Sequence, residues 1–165
     1  MPDNSSPLIR EIRSSDNENM AGLIRSVLEE LNVPKVGTAY EDTALDDLTA
    51  EYQQEKAGYF VLLADGQLMG GAGIGPLPQA DASVCELQKM YFSPAARGKG
   101  WGDLMMKKCL QAARDWGYSQ VYIETMPYMK AAQKLYVRHG FEYIDGPMGD
   151  TGHYSCPVYL LKTME

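Results

Sequence analysis

Residues 97–102, of sequence RGKGWG, limit the possible folds of this chain more than any other segment. They carry three glycines within five residues, between a strand-like stretch at 82–94 and a helix-like stretch at 100–116. Glycine permits left-handed backbone conformations and a close approach of the main chain to a ligand. Successive N–H groups in such a turn, together with the N-terminus of the following helix, bind anions. The turn therefore predicts a site for an anion such as a diphosphate, and the alternative is a tight turn that needs glycine for packing alone.

Two common nucleotide-binding motifs are excluded by the same segment. The motif GxGxxG requires a third glycine where Asp103 stands, and the chain contains no GxxxxGK[ST]. A nucleotide P-loop is therefore not expected.

Basic residues are concentrated around this turn. Residues 89–138 carry nine Lys/Arg against three Asp/Glu, whereas the rest of the chain carries six against 19, for a net charge of −7. A basic segment in an acidic chain favours a local anion site over a nucleic-acid surface, although solvated helix faces produce the same pattern. The acidic remainder suits cationic amines or basic peptides as partners.

Hydrophobic periodicity predicts the element order β-α-α-β-β-β-α-β-α-β-β. Strands are expected at 7–15, on either side of an Asp65-Gly66 turn within 58–77, and at 82–94, 119–125, 141–146 and 154–163. Helices are expected at 17–31, with Asp16 as the cap, and at 43–56, 100–116 and 128–139. Hairpins combined with β-α-β crossovers predict an α/β (α+β) fold, in which a mixed sheet carries helices on both faces. Residues 1–165 are expected to form one domain.

Two motifs carry a resemblance to a known family. The segment RGKGWG at 97–102 resembles the Q/R-x-x-G-x-G/A motif of the GNAT acetyltransferase superfamily. The segment AAQKLYVRHGF at 131–141 resembles the second signature of that family, a helix with A-x-x-L-Y that ends in GF. The resemblance implies a GNAT-like sheet in which two central parallel strands, 84–92 and 120–125, splay apart.

The resemblance also implies acetyl-CoA as the acetyl donor, with no metal. The pyrophosphate would bind N–H groups of the glycine turn, and the pantetheine arm would pair with the strand before it. The implied contacts are Met90, Tyr91, Phe92, Arg97, Gly98, Lys99, Gly100, Trp101, Gly102 and Lys134. Met129 stands where the family often has an asparagine, and methionine has no amide donor for pantetheine.

Acetyl transfer to an amine requires a neutral amine, a stabilised carbonyl oxygen and a proton for the departing thiolate. Tyr136 matches the general-acid tyrosine of the family, although a core tyrosine is the alternative. Glu86 stands 11 residues before the glycine motif, as does the base of the GNAT histone acetyltransferases that this segment resembles, and Glu124 is the second candidate. The alternative for either glutamate is a structural carboxylate paired with lysine. Strand alternation predicts one shared face for Glu86, Gln88, Met90 and Phe92.

The acceptor end is predicted near the segment GDTGHYSCPVY. His153 and Cys156 are its candidate substrate contacts, and a Cys–His pair there would open an acyl-cysteine route. Cys85 and Cys109 are expected to be core residues. Three widely spaced cysteines and two histidines suggest neither a disulfide framework nor a zinc site.

The sequence therefore predicts an N-acetyltransferase that moves an acetyl group from acetyl-CoA to a primary amine of a small molecule or peptide. Direct attack without a covalent enzyme intermediate is the expected route. The alternative is a catalytically silent CoA-binding or regulatory module on the same fold. No nucleic-acid or membrane partner is expected. The expected oligomeric state is a monomer or homodimer, and the expected location is a reducing cytoplasm.

Overall fold

The computed structural model describes residues 6–36, 39–152 and 156–164. Within these ranges seven strands form one mixed sheet. The strands are β1 (Leu8–Glu11), β2 (Gly58–Ala64), β3 (Gln67–Pro76), β4 (Val84–Phe92), β5 (Gln120–Thr125), β6 (Glu142–Ile144) and β7 (Val158–Thr163). The α-helices are α1 (Asn17–Glu30), α2 (Leu48–Glu51), α3 (Trp101–Asp115) and α4 (Lys130–Arg138). The predicted element order and the mixed α/β fold are confirmed.

The strands lie in the order β1-β2-β3-β4-β5-β7-β6, and β4 with β5 is the parallel pair. Their pairing covers only Val84–Gln120, Cys85–Val121 and Glu86–Tyr122. Beyond Glu86 the two strands continue without pairing with each other, β4 to Phe92 and β5 to Thr125. The predicted splay is therefore confirmed, and it opens the centre of the sheet.

Helices cover both faces of the sheet. Helices α3 and α4 pack on one face, over a core that includes Met105, Cys109, Val121 and Tyr136. Helices α1 and α2 pack on the other, over a core that includes Met20, Ile24, Leu48, Tyr59 and Val61. The splay between β4 and β5 thus connects two different layers. No helix within the described residues has both the length and the apolar character that crossing a bilayer requires.

The predicted helix at 43–56 was wrong in extent and type. A 3-10 helix covers Thr43–Asp47, and the α-helix that follows is only Leu48–Glu51. The carboxylate of Asp42 accepts from the Ala44 N–H at 3.0 Å, and that of Asp47 accepts from the Ala50 N–H at 3.2 Å. Because each aspartate starts a new helical turn, the segment is divided into two short helices.

The predicted cap of α1 was wrong in its contacts, although the helix does begin at Asn17. The Asp16 carboxylate makes no capping hydrogen bond to the helix. It accepts instead from the Arg13 N–H at 2.8 Å and from the Arg10 guanidinium at 2.7 Å. These contacts tie the start of α1 to β1.

A β-bulge interrupts β4 at Lys89, whose φ is 50°. Pairing with β3 passes from Gln88 directly to Tyr91, so Lys89 and Met90 lie opposite Ala72 alone. One extra residue reverses the alternation of side chains along the rest of the strand.

The predicted shared face of Glu86, Gln88, Met90 and Phe92 was therefore wrong. Gln88 is hydrogen-bonded to Tyr52 in the layer of α1 and α2. Met90 and Phe92 pack in the layer of α3 and α4. The sequence pattern does not reveal this reversal, because an inserted residue leaves an ordinary strand composition behind it.

Candidate active site

A cavity of about 500 Å³ opens where β4 and β5 diverge. Its walls come from residues 86–92 of β4, 123–126 at the end of β5, the glycine turn, the first part of α4 and the last turns of α1. The splay thus brings the turn into one continuous space with the strand ends, as the GNAT resemblance implies.

The glycine turn combines left-handed backbone with close packing. Gly98 and Gly100 have φ of 74° and 78°, and Gly100 precedes α3 directly. The first N–H groups of a helix have no acceptor within the helix, so those of α3 can receive an anion. A Cβ added to Gly102 would lie 3.3 Å from Leu135 Cδ2, so this glycine also lets α3 approach α4. The packing interpretation therefore applies at Gly102, and the anion site at the start of α3 remains a prediction.

The basic residues of the turn are partly engaged by protein groups. The Arg97 guanidinium pairs with Glu30 at 2.7 Å and donates to the Phe92 carbonyl oxygen at 3.3 Å, which ties the turn to α1. The Lys99 ammonium lies 5.0 Å from the centre of the Trp101 ring. Lys99 and the exposed Lys134 are not part of the cavity wall, so a cofactor contact of either remains a prediction.

Asp103 links the first turn of α3 to the end of α4. Its carboxylate accepts from Arg138 Nε at 3.0 Å and contacts His139 Nε2 at 2.7 Å. The Arg138 and His139 contacts hold the pKa of Asp103 below its usual value. Arg138 also lines the cavity, which the sequence analysis did not anticipate.

Tyr136 lines the cavity from α4 and is only 6% exposed. Burial raises the pKa of its phenol to about 12, so the proton is retained at neutral pH. Its ring packs 6.0 Å from the Phe141 ring, between centroids. Among the described residues its hydroxyl has no hydrogen-bond partner. The phenol is therefore both a core residue and a proton donor available to the cavity.

Glu86 lies at the last position where β4 pairs with β5, and its side chain is only 5% exposed. Burial raises the pKa of its carboxyl to about 7, a donated hydrogen bond from Gln88 Nε2 at 2.6 Å lowers it, and Glu124 raises it. A lysine partner was the alternative reading of this carboxylate. Within the described residues it forms no salt bridge, and the adjacent Lys89 pairs with Asp42 at 3.1 Å. A carboxyl with a pKa near 7 suits proton transfer at neutral pH.

Glu124 lines the cavity from the end of β5. It accepts from the Tyr122 hydroxyl at 2.7 Å and from Thr151 Oγ1 at 2.5 Å. Burial raises the pKa of its carboxyl, while both hydrogen bonds lower it. It too has no salt bridge within the described residues, so two carboxylates without a basic side-chain partner face this end of the cavity.

Glu86→Gln should remove a pH-dependent loss of stability. The Glu86 carboxyl, with a folded-state pKa of about 7, keeps a proton that the unfolded chain releases from about pH 4.5 upward. The stability that this bound proton gives the folded protein is therefore lost as the pH rises through 7. We expect the free energy of unfolding of Glu86→Gln, relative to wild type, to increase between pH 5 and pH 8 by up to roughly 3 kcal/mol. Denaturant unfolding at a series of pH values measures this. The exposed Glu55→Gln serves as control, and an equal pH dependence in all three proteins contradicts the burial argument.

Cys156 lies on the cavity wall and is half-buried. Burial, with Glu124 and Glu86 nearby, raises the pKa of its thiol to about 12, which opposes the thiolate that an acyl-cysteine route needs. Its suggested partner His153 lies outside the described residues. Cys85 and Cys109 are fully buried, which confirms their core placement. The described residues hold no group of side chains suited to a metal ion.

Two tyrosines behind Glu86 and the bulge were not predicted from the sequence. Tyr52 OH donates to Gln88 Oε1, and Tyr59 OH donates to the Lys89 carbonyl oxygen at 2.8 Å. The available signal was the glycine-rich stretch GGAG at 70–73. A Cβ added to Gly71 would lie only 2.6 Å from the Tyr59 ring, and one added to Gly73 would lie only 2.7 Å from the Tyr52 ring.

Comparison with known proteins adds four findings. The chain matches the Acetyltransferase (GNAT) family over residues 24–141. It is 39% identical over 160 residues to the uncharacterized N-acetyltransferase YjgM of Escherichia coli (strain K12), covering 96% of each chain. An acetyltransferase of the GNAT family from Staphylococcus aureus Mu50 superposes with a TM-score of 0.86 at 18% identity, covering 97% of this chain and 100% of that one. The yncA structure from Salmonella typhimurium, with its cofactor acetyl-CoA, superposes with a TM-score of 0.77 at 18% identity, covering 96% and 94%.

Proposed function

This chain belongs to the GNAT family of acetyltransferases, and we propose that it transfers the acetyl group of acetyl-CoA to a primary amine of a small molecule or peptide. The observation that carries this proposal is the cavity at the splay. It places the N-terminus of α3, the Tyr136 phenol and the Glu86 carboxylate on one connected surface. One sheet joins both cores, which supports treating residues 1–165 as a single catalytic domain.

Two features support acetyl-CoA as the donor. The first N–H groups of α3 suit the pyrophosphate, and the yncA relative of the same fold holds acetyl-CoA. The edge of β4 that faces β5 lacks a strand partner after Glu86, so its main chain can pair with the pantetheine arm through residues 90–92. The thioether of Met129 accepts from Thr125 Oγ1 at 3.4 Å, so the pantetheine contact made by asparagine elsewhere falls to other groups.

In the proposed reaction, the residues on each face of the sheet have a different role. Glu86 takes a proton from the acceptor ammonium, directly or through water, and the freed nitrogen attacks the thioester carbonyl carbon. A main-chain N–H near the β4 bulge stabilises the carbonyl oxygen as the tetrahedral centre forms. When the carbon–sulfur bond breaks, Tyr136 donates its proton to the thiolate from the opposite face, and the second proton of the now cationic nitrogen returns through water to the phenolate, which leaves the neutral amide and the free CoA thiol. The groups that accept and donate protons thus lie on opposite sides of the reacting carbon.

The charge around the cavity supports an amine acceptor. Glu86 and Glu124 both face the end away from the glycine turn, and Asp150 lies near Glu124. Such a surface attracts an ammonium group and repels a carboxylate. His153 and Cys156 remain proposed contacts of the acceptor on this side.

A direct assay tests the function. The purified chain is mixed with acetyl-CoA and a panel of primary amines, and both thiol release and acetylated product are measured. Product with at least one amine, together with one thiol per acetyl group, supports the proposal. Acetyl-CoA binding without turnover on any amine favours the silent CoA-binding module instead.

Tyr136→Phe tests the proton donor. The variant keeps the ring packed against Phe141 and removes only the phenolic proton. We expect turnover to fall by about tenfold to a thousandfold with little change in acetyl-CoA affinity. Steady-state kinetics and calorimetry measure the two quantities. The exposed Tyr143→Phe, on β6 and outside the cavity wall, is the matched control. Wild-type turnover in Tyr136→Phe excludes Tyr136 as the acid or shows that thiolate protonation does not limit the rate.

A further inference from the structure

A hydrogen-bonded chain of three side chains ends on Glu86. The Tyr52 hydroxyl donates to Gln88 Oε1 at 2.5 Å, and Gln88 Nε2 donates to Glu86 Oε1 at 2.6 Å. We call these three residues, Tyr52, Gln88 and Glu86, the relay. Tyr52 is 6% exposed and Glu86 is 5% exposed, so both ends of the relay are buried. Tyr52 closes the last turn of α2, whereas Gln88 and Glu86 lie on β4 before the bulge.

The relay has a direction, because a protonated phenol donates to an amide oxygen. Burial raises the pKa of Tyr52 well above its usual value, so the hydroxyl keeps its proton. With Gln88 Oε1 held by that hydroxyl, the amide presents its NH₂ group to Glu86. An NH₂ group favours the ionised carboxylate, which accepts hydrogen bonds only.

The backbone of β3 is adapted to hold this relay. A Cβ at Gly73 would lie 2.7 Å from both Cζ and Oη of Tyr52, so only glycine leaves room for the ring. The Tyr59 ring packs beside it, with centroids 5.3 Å apart. The Tyr59 hydroxyl bonds to the bulge and not to Gln88, which provides a neighbouring tyrosine outside the relay.

We propose that Tyr52 and Gln88 are positioning residues that hold the Glu86 carboxylate in its ionised, proton-accepting form. This inference rests on the proposed role of Glu86 as the base. Without the relay, burial alone would keep the carboxyl protonated over more of the neutral range, and a protonated carboxyl cannot accept the proton of the acceptor.

Other titratable and charged groups act on Glu86 from the surrounding elements. Glu124 and Asp42 raise the pKa of its carboxyl, and Lys89 lowers it. The remaining titratable neighbours are Tyr52, Tyr122, Cys85 and Cys156. The thiols and phenols are neutral at pH 7, so Gln88 is the main uncharged group that favours the ionised form.

The test is a titration of Glu86 that does not depend on turnover. Isotope-edited NMR of glutamate carboxyl carbons, with the Glu86 signal assigned by its absence in Glu86→Gln, gives its pKa in the free full-length protein. We expect Gln88→Met to raise that pKa by about one pH unit, because it removes the donor at similar volume. Tyr52→Phe should raise it by less, since the ring and the amide both remain. Tyr59→Phe, the same chemical change one ring away, should leave it unchanged.

The pH dependence of kcat/KM, measured with an acceptor found by screening, separates this inference from the proposed function. If the acidic limb of Gln88→Met moves to higher pH together with the NMR pKa of Glu86, both the relay and the role of Glu86 as the base are supported. If the NMR pKa rises and the limb stays in place, the relay stands and Glu86 is not the base. An unchanged NMR pKa in Gln88→Met overturns the relay. Tyr52→Phe keeps the buried ring, so it provides a second variant if Gln88→Met does not fold. Equal shifts in Tyr52→Phe and Tyr59→Phe overturn the specific role of Tyr52.

Discussion

Gly102→Asp should bind acetyl-CoA at least about a hundredfold more weakly than the wild-type protein. The substitution places a negative charge in the first turn of α3, among the N–H groups proposed to hold the pyrophosphate. Two like charges about 4 Å apart at the protein surface repel by roughly 4 kcal/mol, whereas a hundredfold loss corresponds to about 2.7 kcal/mol. The new Cβ also meets Leu135 Cδ2 at 3.3 Å, a contact that a flexible side-chain end can relieve.

Calorimetric titration with acetyl-CoA measures this effect, and two variants separate its causes. Gly102→Ala adds the Cβ without the charge, so it reports the packing contribution alone. Gly22→Asp makes the same chemical change in α1, where an added Cβ meets nothing within 4 Å and the residue is exposed. Unchanged affinity in a folded Gly102→Asp protein contradicts the diphosphate site. An equal loss in Gly102→Ala assigns the glycine to packing.

Glu86→Gln should lower kcat/KM by about a hundredfold or more below the pKa of the acceptor amine, in line with the usual contribution of a general base. The amide keeps the size of the side chain and its acceptor oxygen, but it cannot take a proton. In the wild type, activity should rise as the pH passes through about 7, where the Glu86 carboxyl ionises. The variant should lose that acidic limb.

Glu124→Gln is the matched comparison, because it is the same substitution at the neighbouring strand end. A wild-type profile in Glu86→Gln together with a lost acidic limb in Glu124→Gln transfers the role of base to Glu124. Wild-type profiles in both variants mean that solvent deprotonates the amine and that the enzyme acts mainly by proximity.

The fold and the glycine turn were accessible from sequence because their signals are local. The left-handed glycines precede α3, and Tyr136 lies on a helix that ends at its own glycine, all within a few residues of chain. The Asp65-Gly66 turn is equally local, and both residues have a positive φ, 51° and 76°, which two-residue hairpin turns of this composition require. Apolar periodicity located all the long elements for the same reason.

The base end of the site depends on contacts between distant segments. Whether Glu86 and Met90 lie on the same face of the sheet depends on one bulge residue, Lys89, which the sequence pattern of the strand does not reveal. Tyr52 and Gln88 stand 36 residues apart, and only the packing of α2 against β3 brings them to 2.5 Å.

The sequence by itself therefore determined the family, through two short motifs, and the element order, through local backbone preferences. It also predicts an anion site at the turn and a proton donor at Tyr136, because those signals lie within a few residues of chain. The tertiary structure decided which carboxylate is buried, which hydrogen bonds set its proton affinity and which layer each cleft residue faces. Burial and proton affinity are properties of the surroundings of a side chain, and those surroundings exist only after strands and helices from separate parts of the chain have packed together.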